Sequence, residues 1–311
     1  MIALLAPGQG AQSPGMLAAW LELPGADERI GRWSEAAGLD LRRLGTTADA
    51  DEIKDTAVTQ PLVVALSLLV FEQLSRRVQL PAGLVAAGHS VGELAAAAIA
   101  GALSTDDAVA LAAARGREMA AACALEPTAM AAVLGGNEDE VLARLAELGL
   151  DPANRNATGQ IVAAGPAAAI DELEARPPAG TRVTRLAVAG AFHTRFMTPA
   201  REALAARAAH VNVTDPRYTL LSNADGAAVT GGSRVLARLV AQVSAPVRWD
   251  ACMAALRERG VTAAIEFPPG RTLTGMIKRE LKGMTTLAIK QPEDLDKAVD
   301  LVSMRTVGSP A

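Results

Sequence analysis

Gly88-His89-Ser90-Val91-Gly92-Glu93 sets a serine between two glycines. A serine hydroxyl attacks a carbonyl carbon usefully only when a base takes its proton. The apolar run 84–87 before this stretch reads as a strand, and the alanine-rich run 94–100 after it reads as a helix. G-x-S-x-G between a strand and a helix is a nucleophile elbow. The glycines permit a turn in which a Cβ would clash. The helix behind it aims free N–H groups and a positive end at the same point. Ser90 is therefore the expected nucleophile of an acyl-transfer or hydrolytic reaction. A chance Gly/Ser pattern in a chain with 27 glycines is the competing reading.

A base must accompany such a serine. The chain has three histidines, His89, His193 and His210. His89 lies inside the turn and reads as structural. His210 ends a helical run, where a cation merely suits the dipole. His193 stands in Gly190-Ala191-Phe192-His193-Thr194, a glycine-bounded loop where the chain returns from an inserted segment. It is the candidate general base, with a satisfied structural histidine as the alternative.

Leu111, Arg115 and Met119 recur at i, i+4 and i+8 on a helix expected over 105–123. They share one stripe, so Arg115 faces the core with two apolar residues. A core-facing guanidinium needs a partner. The partner is an internal Asp or Glu, or a substrate carboxylate held by two parallel hydrogen bonds. Snorkelling to the surface is a third reading. Spacing alone leaves these open.

The elements that must position these groups follow in order. A buried strand at 2–6 runs into Pro7-Gly8-Gln9-Gly10-Ala11-Gln12. That loop can bring backbone N–H groups close to a ligand, or it is a plain strand-to-helix turn. No Gly-Lys-Ser/Thr follows, so it is not a phosphate-binding P-loop. Residues 14–58 read as surface-like helices. A long apolar helix is expected over 62–76, with Thr59 as cap and Pro61 in its first turn. Gln60 is then a helix-entry residue or an amide lining a pocket. Residues 128–189 carry the order β-α-β-β-α-β. They form the expected small domain inserted into a larger one of 1–127 and 190–311, with a cleft between. Strands near 218–222, 262–267 and 285–290 and a helix at 292–304 complete the pattern, and the tail 307–311 reads as disordered.

Composition sets bounds. The 311 residues are 50% hydrophobic but only 3% aromatic, so the core is aliphatic, as suits helices on a parallel sheet. A net charge of −4 with mixed distribution argues against nucleic-acid binding. Cys123 and Cys252 read as buried small residues of a reducing compartment, and no metal-ligand spacing or cofactor motif is present. No signal peptide is legible, and apolar runs are expected to fall short of a membrane span, broken at Gln60 or Glu93. The expectation is a cytoplasmic, monomeric protein.

Taken together, Pro7 to Gln12, Thr59-Gln60-Pro61, the Ser90 elbow, Arg115-Gly116-Arg117-Glu118-Met119, Gly190-Ala191-Phe192-His193, Gln242 with Pro246-Val247-Arg248-Trp249, and Pro269-Gly270 with Leu273-Thr274-Gly275 resemble the malonyl-CoA:acyl carrier protein transacylase family. The resemblance runs to about residue 300. It implies an α/β fold, with an α/β-hydrolase-like core of parallel sheet and an inserted ferredoxin-like subdomain. It implies Ser90 as nucleophile and His193 as base, with no triad carboxylate. The N–H groups of Gln9 and Val91 would form the oxyanion hole. Arg115 would hold the malonyl carboxylate, with Gln242 orienting the site near His193. Gln60, Met119 and Phe192 match pocket positions, and Phe192 resembles the malonyl-selecting members. The implied reaction moves malonyl from malonyl-CoA to acyl carrier protein in fatty acid biosynthesis. Polyketide synthesis, or hydrolysis by the same elbow, is the alternative, and a non-enzymatic carrier scaffold is the third reading. Phe267-Pro268-Pro269-Gly270 departs from the pattern in one local loop. Arg182, Arg185, Arg195, Lys278, Arg279 and Lys282 are candidates for a basic carrier dock.

Overall fold

A computed structural model describes residues 1–307, and side chains through Met304. Within it the strands are β1 (Ile2–Ala6), β2 (Val85–Gly88), β3 (Thr128–Gly135), β4 (Asp151–Ala157), β5 (Gln160–Pro166), β6 (Thr181–Arg185), β7 (Thr219–Leu221), β8 (Ala228–Val229), β9 (Val247–Arg248), β10 (Ala263–Glu266) and β11 (Thr285–Ala288). They make two sheets. One has the order β11-β10-β1-β2-β7-β8, the other β6-β3-β5-β4-β9.

The first sheet is parallel from β11 to β7, and only the β7–β8 edge is antiparallel. Its central strands read as unbroken apolar runs because helices cover both faces. Ile2 to Ala6 are all fully buried. The second sheet is antiparallel over β3–β6, with helices Glu138–Glu147 and Ala167–Ala175 between its strands. This is the β-α-β-β-α-β order expected from the sequence. Its fifth strand comes from elsewhere: β9 pairs parallel with β4, Asn154 opposite Val247. Sequence reading gave Val247-Arg248 no strand, because two residues carry no alternation to detect.

Four further expectations are corrected. The helix foreseen over 62–76 begins at Thr56, capped by the Asp55 carboxylate, which accepts from the Ala57 N–H. Pro61 therefore lies inside the helix rather than in its first turn, and Thr59 donates to the Ile53 carbonyl instead of capping. The same helix, Thr56–Ser75, is long and apolar enough to cross a membrane, against the sequence expectation. Most of it is buried inside the fold, as a core helix. Residues 14–58 are not merely surface: Trp20, Ile30, Trp33, Leu41 and Ile53 join the main core. The last helix reaches Val307, so that residue is helical where a disordered tail was expected, and 308–311 lie outside the described residues.

Candidate active site

The elbow forms because its neighbours leave no room for anything else. A Cβ on Gly88 would sit 2.1 Å from the Gly92 carbonyl oxygen. A Cβ on Gly92 would sit 2.3 Å from the Ala6 oxygen, so the turn presses on the end of β1. Ser90 takes φ 53°, in the left-handed region that L-residues avoid. The helix Gly92–Ile99 starts directly behind it. The elbow is pinned to β1 by the His89 N–H, which donates to the Ala6 carbonyl at 3.0 Å.

Ser90 Oγ lies 2.7 Å from His193 Nε2. His193 Nδ1 lies 2.8 Å from the Gln242 main-chain carbonyl. A carbonyl only accepts, so Nδ1 carries the proton and the Nε2 lone pair faces the hydroxyl. His193 too has positive φ, at 62°. Burial pushes its pKa down to about 3, and the Arg115 charge adds to the depression. The imidazole is therefore neutral at neutral pH.

Arg115 is buried at 1% exposure on the stripe foreseen for it, with Leu111 and Met119 also buried. Its Nη1 donates to Gln60 Oε1 at 2.7 Å, and its Nη2 to Gln242 Oε1 at 2.9 Å and to Ser90 Oγ at 3.4 Å. Burial lowers its pKa to about 10, which leaves it charged. Its Nε has no partner among the described residues. Gln60 sits one turn into its helix, its Nε2 facing Met119 Sδ at 3.5 Å. Phe192 is buried beside His193. Gln9 is in the loop after β1, where a Cβ on the adjacent Gly8 would meet the His89 oxygen at 2.7 Å. The N–H groups of Gln9 and Val91 donate to no backbone carbonyl among the described residues.

Two buried residues were not singled out from sequence. Asn223 is fully buried. Its Oδ1 accepts from the Ser90 N–H at 2.9 Å, and its Nδ2 donates to the Gly88 oxygen at 2.8 Å. It reads in sequence as a turn residue. Glu93 has 3% exposure, and burial raises its pKa to about 7. It accepts from the Asn223 N–H at 3.0 Å and from Gln242 Nε2 at 2.5 Å. A carboxylate three residues after the serine, in a helix otherwise all apolar, was the available signal.

The dock candidates separate. Arg182 on β6 and Gln160 on β5 both oppose Leu134 of β3, and Arg279 Nη2 donates to Gln160 Oε1 at 2.7 Å. Arg182 and Arg279 thus lie at one end of the second sheet. Arg185 is held by Asp171 and Glu174, and Arg195 faces Asp151 at 3.4 Å. Lys278 and Lys282 are exposed at and just beyond the C-terminal turn of the helix Thr272–Glu280.

The acyl transferase domain family matches residues 4–305. The chain is 59% identical over 302 residues to the malonyl CoA-acyl carrier protein transacylase of Mycobacterium tuberculosis, covering 97% of this chain and all of that one. It is 31% identical to the Escherichia coli protein of the same name, over 96% of this chain and 99% of that one. The crystal structure of MCAT from Mycobacterium tuberculosis superposes with a TM-score of 0.93 over 96% of this chain and 99% of that one, at 58% identity. A type II PKS acyl-carrier protein in complex with its malonyl-transacylase gives 0.89 at 29% identity, again over 96% and 99%. With its serine, imidazole and buried guanidinium gathered around one point, the chain belongs to the acyl transferase domain family and, within it, to the malonyl CoA-acyl carrier protein transacylases.

Proposed function

We propose that the chain transfers a malonyl group from malonyl-CoA to the phosphopantetheine thiol of an acyl carrier protein, in fatty acid biosynthesis, through a malonyl ester on Ser90. The observation that carries this reading is a buried, charged arginine within 3.4 Å of the serine oxygen. An esterase for neutral acyl groups has no use for it.

The steps follow from the geometry. His193 Nε2 takes the Ser90 proton as Oγ attacks the thioester carbon. The N–H groups of Gln9 and Val91 receive the oxyanion; a donor of this kind is worth about 3 kcal/mol. The tetrahedral adduct collapses, the C–S bond breaks, and the proton on His193 passes to the CoA sulfur. The carrier thiol then gives its proton to His193, attacks the ester carbon, and Ser90 leaves with that proton. The order is ping-pong. Arg115 takes the malonyl carboxylate with its Nη donors, and Gln60 and Met119 border that end. The arriving anion offsets part of the Arg115 charge that depresses His193, so the base strengthens when a dicarboxylic acyl group is bound. Phe192 limits room for an α-methyl group.

Residues 128–189 act in this reading as a small domain inserted between 1–127 and 190–311. The pantetheine arm enters between them, and the enzyme works as a cytoplasmic monomer. Arg182 and Arg279 are the cations best placed together for an acidic carrier. The likeness to a transacylase bound to a type II PKS carrier favours a polyketide carrier as the second reading.

The test is to incubate the protein separately with malonyl-CoA, acetyl-CoA and methylmalonyl-CoA, and weigh it. A malonyl increment on Ser90, discharged by holo-carrier, is expected. Release of free malonate without carrier would make the protein a hydrolase. Rates with fatty acid and polyketide carriers separate the two pathways.

A further inference from the structure

Gln242 stands between two groups that ask opposite things of its side-chain amide. Arg115 Nη2, 2.9 Å away, can only donate, so the amide oxygen must face it. Glu93 Oε2, 2.5 Å from the amide nitrogen, accepts as a carboxylate, so the NH2 must face it. The nitrogen also lies 3.0 Å from Asn223 Oδ1 and 3.0 Å from the Ser90 carbonyl, both acceptors. The second carboxylate oxygen of Glu93 is committed to the Asn223 main-chain N–H, a donor that cannot turn. Only one amide orientation puts the oxygen on the donor and the two hydrogens of the NH2 among the acceptors.

We infer that Glu93 is a positioning residue which, by accepting from Gln242, keeps the Gln242 amide oxygen on Arg115 and so holds the guanidinium ready for an acyl carboxylate. The inference rests on the malonyl reading above and assigns Glu93 a part in acyl selectivity. The Glu93 carboxylate hydrogen-bonds to neither Ser90 nor His193; it acts through Gln242 and Asn223.

A neutral group at position 93 reverses the logic. If Oε2 carries a proton it becomes a donor, the charged acceptor for the Gln242 NH2 is lost, and only the neutral oxygens of Asn223 and Ser90 oppose an amide that turns its oxygen toward Glu93. The NH2 then faces the Arg115 guanidinium, donor against cation. The clamp loses an acceptor and is pushed out of register. Burial places the Glu93 proton affinity close to neutrality. The charged and titratable groups that face Glu93 are Arg115 on the helix Thr105–Cys123, Arg238 on the helix Gly232–Ala241 and Cys252 on the helix Trp249–Glu258. The two arginines favour the carboxylate. Acetyl groups make no use of the clamp, so the consequence falls on malonyl.

Glu93→Gln tests this, with malonyl-CoA and acetyl-CoA loading of Ser90 followed by mass and by rate. Glutamine offers one acceptor and one donor where two acceptors are needed. The expected result is a KM for malonyl-CoA raised roughly tenfold or more, with malonyl-over-acetyl preference reduced in proportion. Unchanged preference would overturn the inference, as would equal losses on both substrates with a lowered Tm. A native-protein measurement stands beside it. The wild-type ratio of malonyl to acetyl kcat/KM should rise from about pH 6 to about pH 8 as Glu93 ionises, and a flat ratio overturns the inference even if the variant does not fold. Failure of wild-type protein to load malonyl at all would instead sink the malonyl reading itself.

Discussion

The Ser90 hydroxyl and the His193 imidazole meet at 2.7 Å from two backbones that are both left-handed, at φ 53° and 62°. Each residue is bent into a conformation that its Cβ resists. Such strain persists only where the surroundings over-determine it. Around Ser90 they do. Asn223 holds the serine N–H and the Gly88 oxygen, while the Gly88 and Gly92 contacts leave no slack.

Ser90→Ala should abolish acyl loading, with no malonyl adduct by intact-mass spectrometry. Ser90→Gly should abolish it equally yet be more stable than Ser90→Ala by about 1 kcal/mol, because glycine accepts positive φ freely. Chemical denaturation of the two variants compares them. Equal stability would mean the elbow stores no strain at this residue.

Arg115→Ala should lower malonyl kcat/KM by about a hundredfold or more, the usual scale for losing one member of a buried charge pair. Acetyl-CoA should then load Ser90 at a rate closer to that of malonyl-CoA. Arg115→Lys should not restore the wild-type preference, since an ammonium cannot reproduce the two-pronged grip. Malonyl loading unchanged in Arg115→Ala would show that the guanidinium does not hold the substrate.

His193 makes a pH prediction. Its pKa falls from 6.5 in the unfolded chain to about 3 in the fold. Below 6.5 the unfolded state binds a proton that the native state refuses, so the contribution present above 6.5 is lost as pH falls toward about 3. His193→Gln should lose less stability than wild type across that acid window. The Glu93 shift has the opposite sign: raised to about 7, its contribution is lost as pH rises, and it is common to both proteins in the comparison. Parallel stability curves for the two proteins would contradict the depressed imidazole.

At the proposed carrier surface, Arg182→Glu and Arg279→Glu should each raise the carrier KM roughly threefold to tenfold, with the effect fading at high salt. Arg185→Glu should change it little, since Asp171 and Glu174 already engage that side chain. If Arg185 matters and Arg182 does not, the dock lies elsewhere.

Much of the candidate site was legible because its logic is local. The elbow needs two glycines at fixed spacing, and Arg115 betrays itself by sharing a helical stripe with Leu111 and Met119. Gln242 was visible only through resemblance, because what it gives His193 is a main-chain carbonyl, and any residue type has one. Glu93 was in plain view inside the motif but counted there only as a charge that breaks an apolar run. Only the fold shows it facing Asn223 and Gln242, more than a hundred residues away along the chain. The start of the helix Thr56–Ser75 was misread because Pro61 looks like a first-turn residue, whereas the cap at Asp55, well before it, decides it.

The two-residue strand β9 follows, after Ala245 and Pro246, the turn Gln242–Ser244 that receives the His193 N–H. Its Val247 and Arg248 pair with Asn154 and Arg155 of the second sheet, and the Arg248 N–H reaches back to the Asn223 oxygen at 2.7 Å. That stitch ties the second sheet to the segment steering the imidazole. A displacement of β4 that carried β9 with it would pull on the Asn223–Gln242 anchorage, so a change in the second sheet is felt at the imidazole through β9.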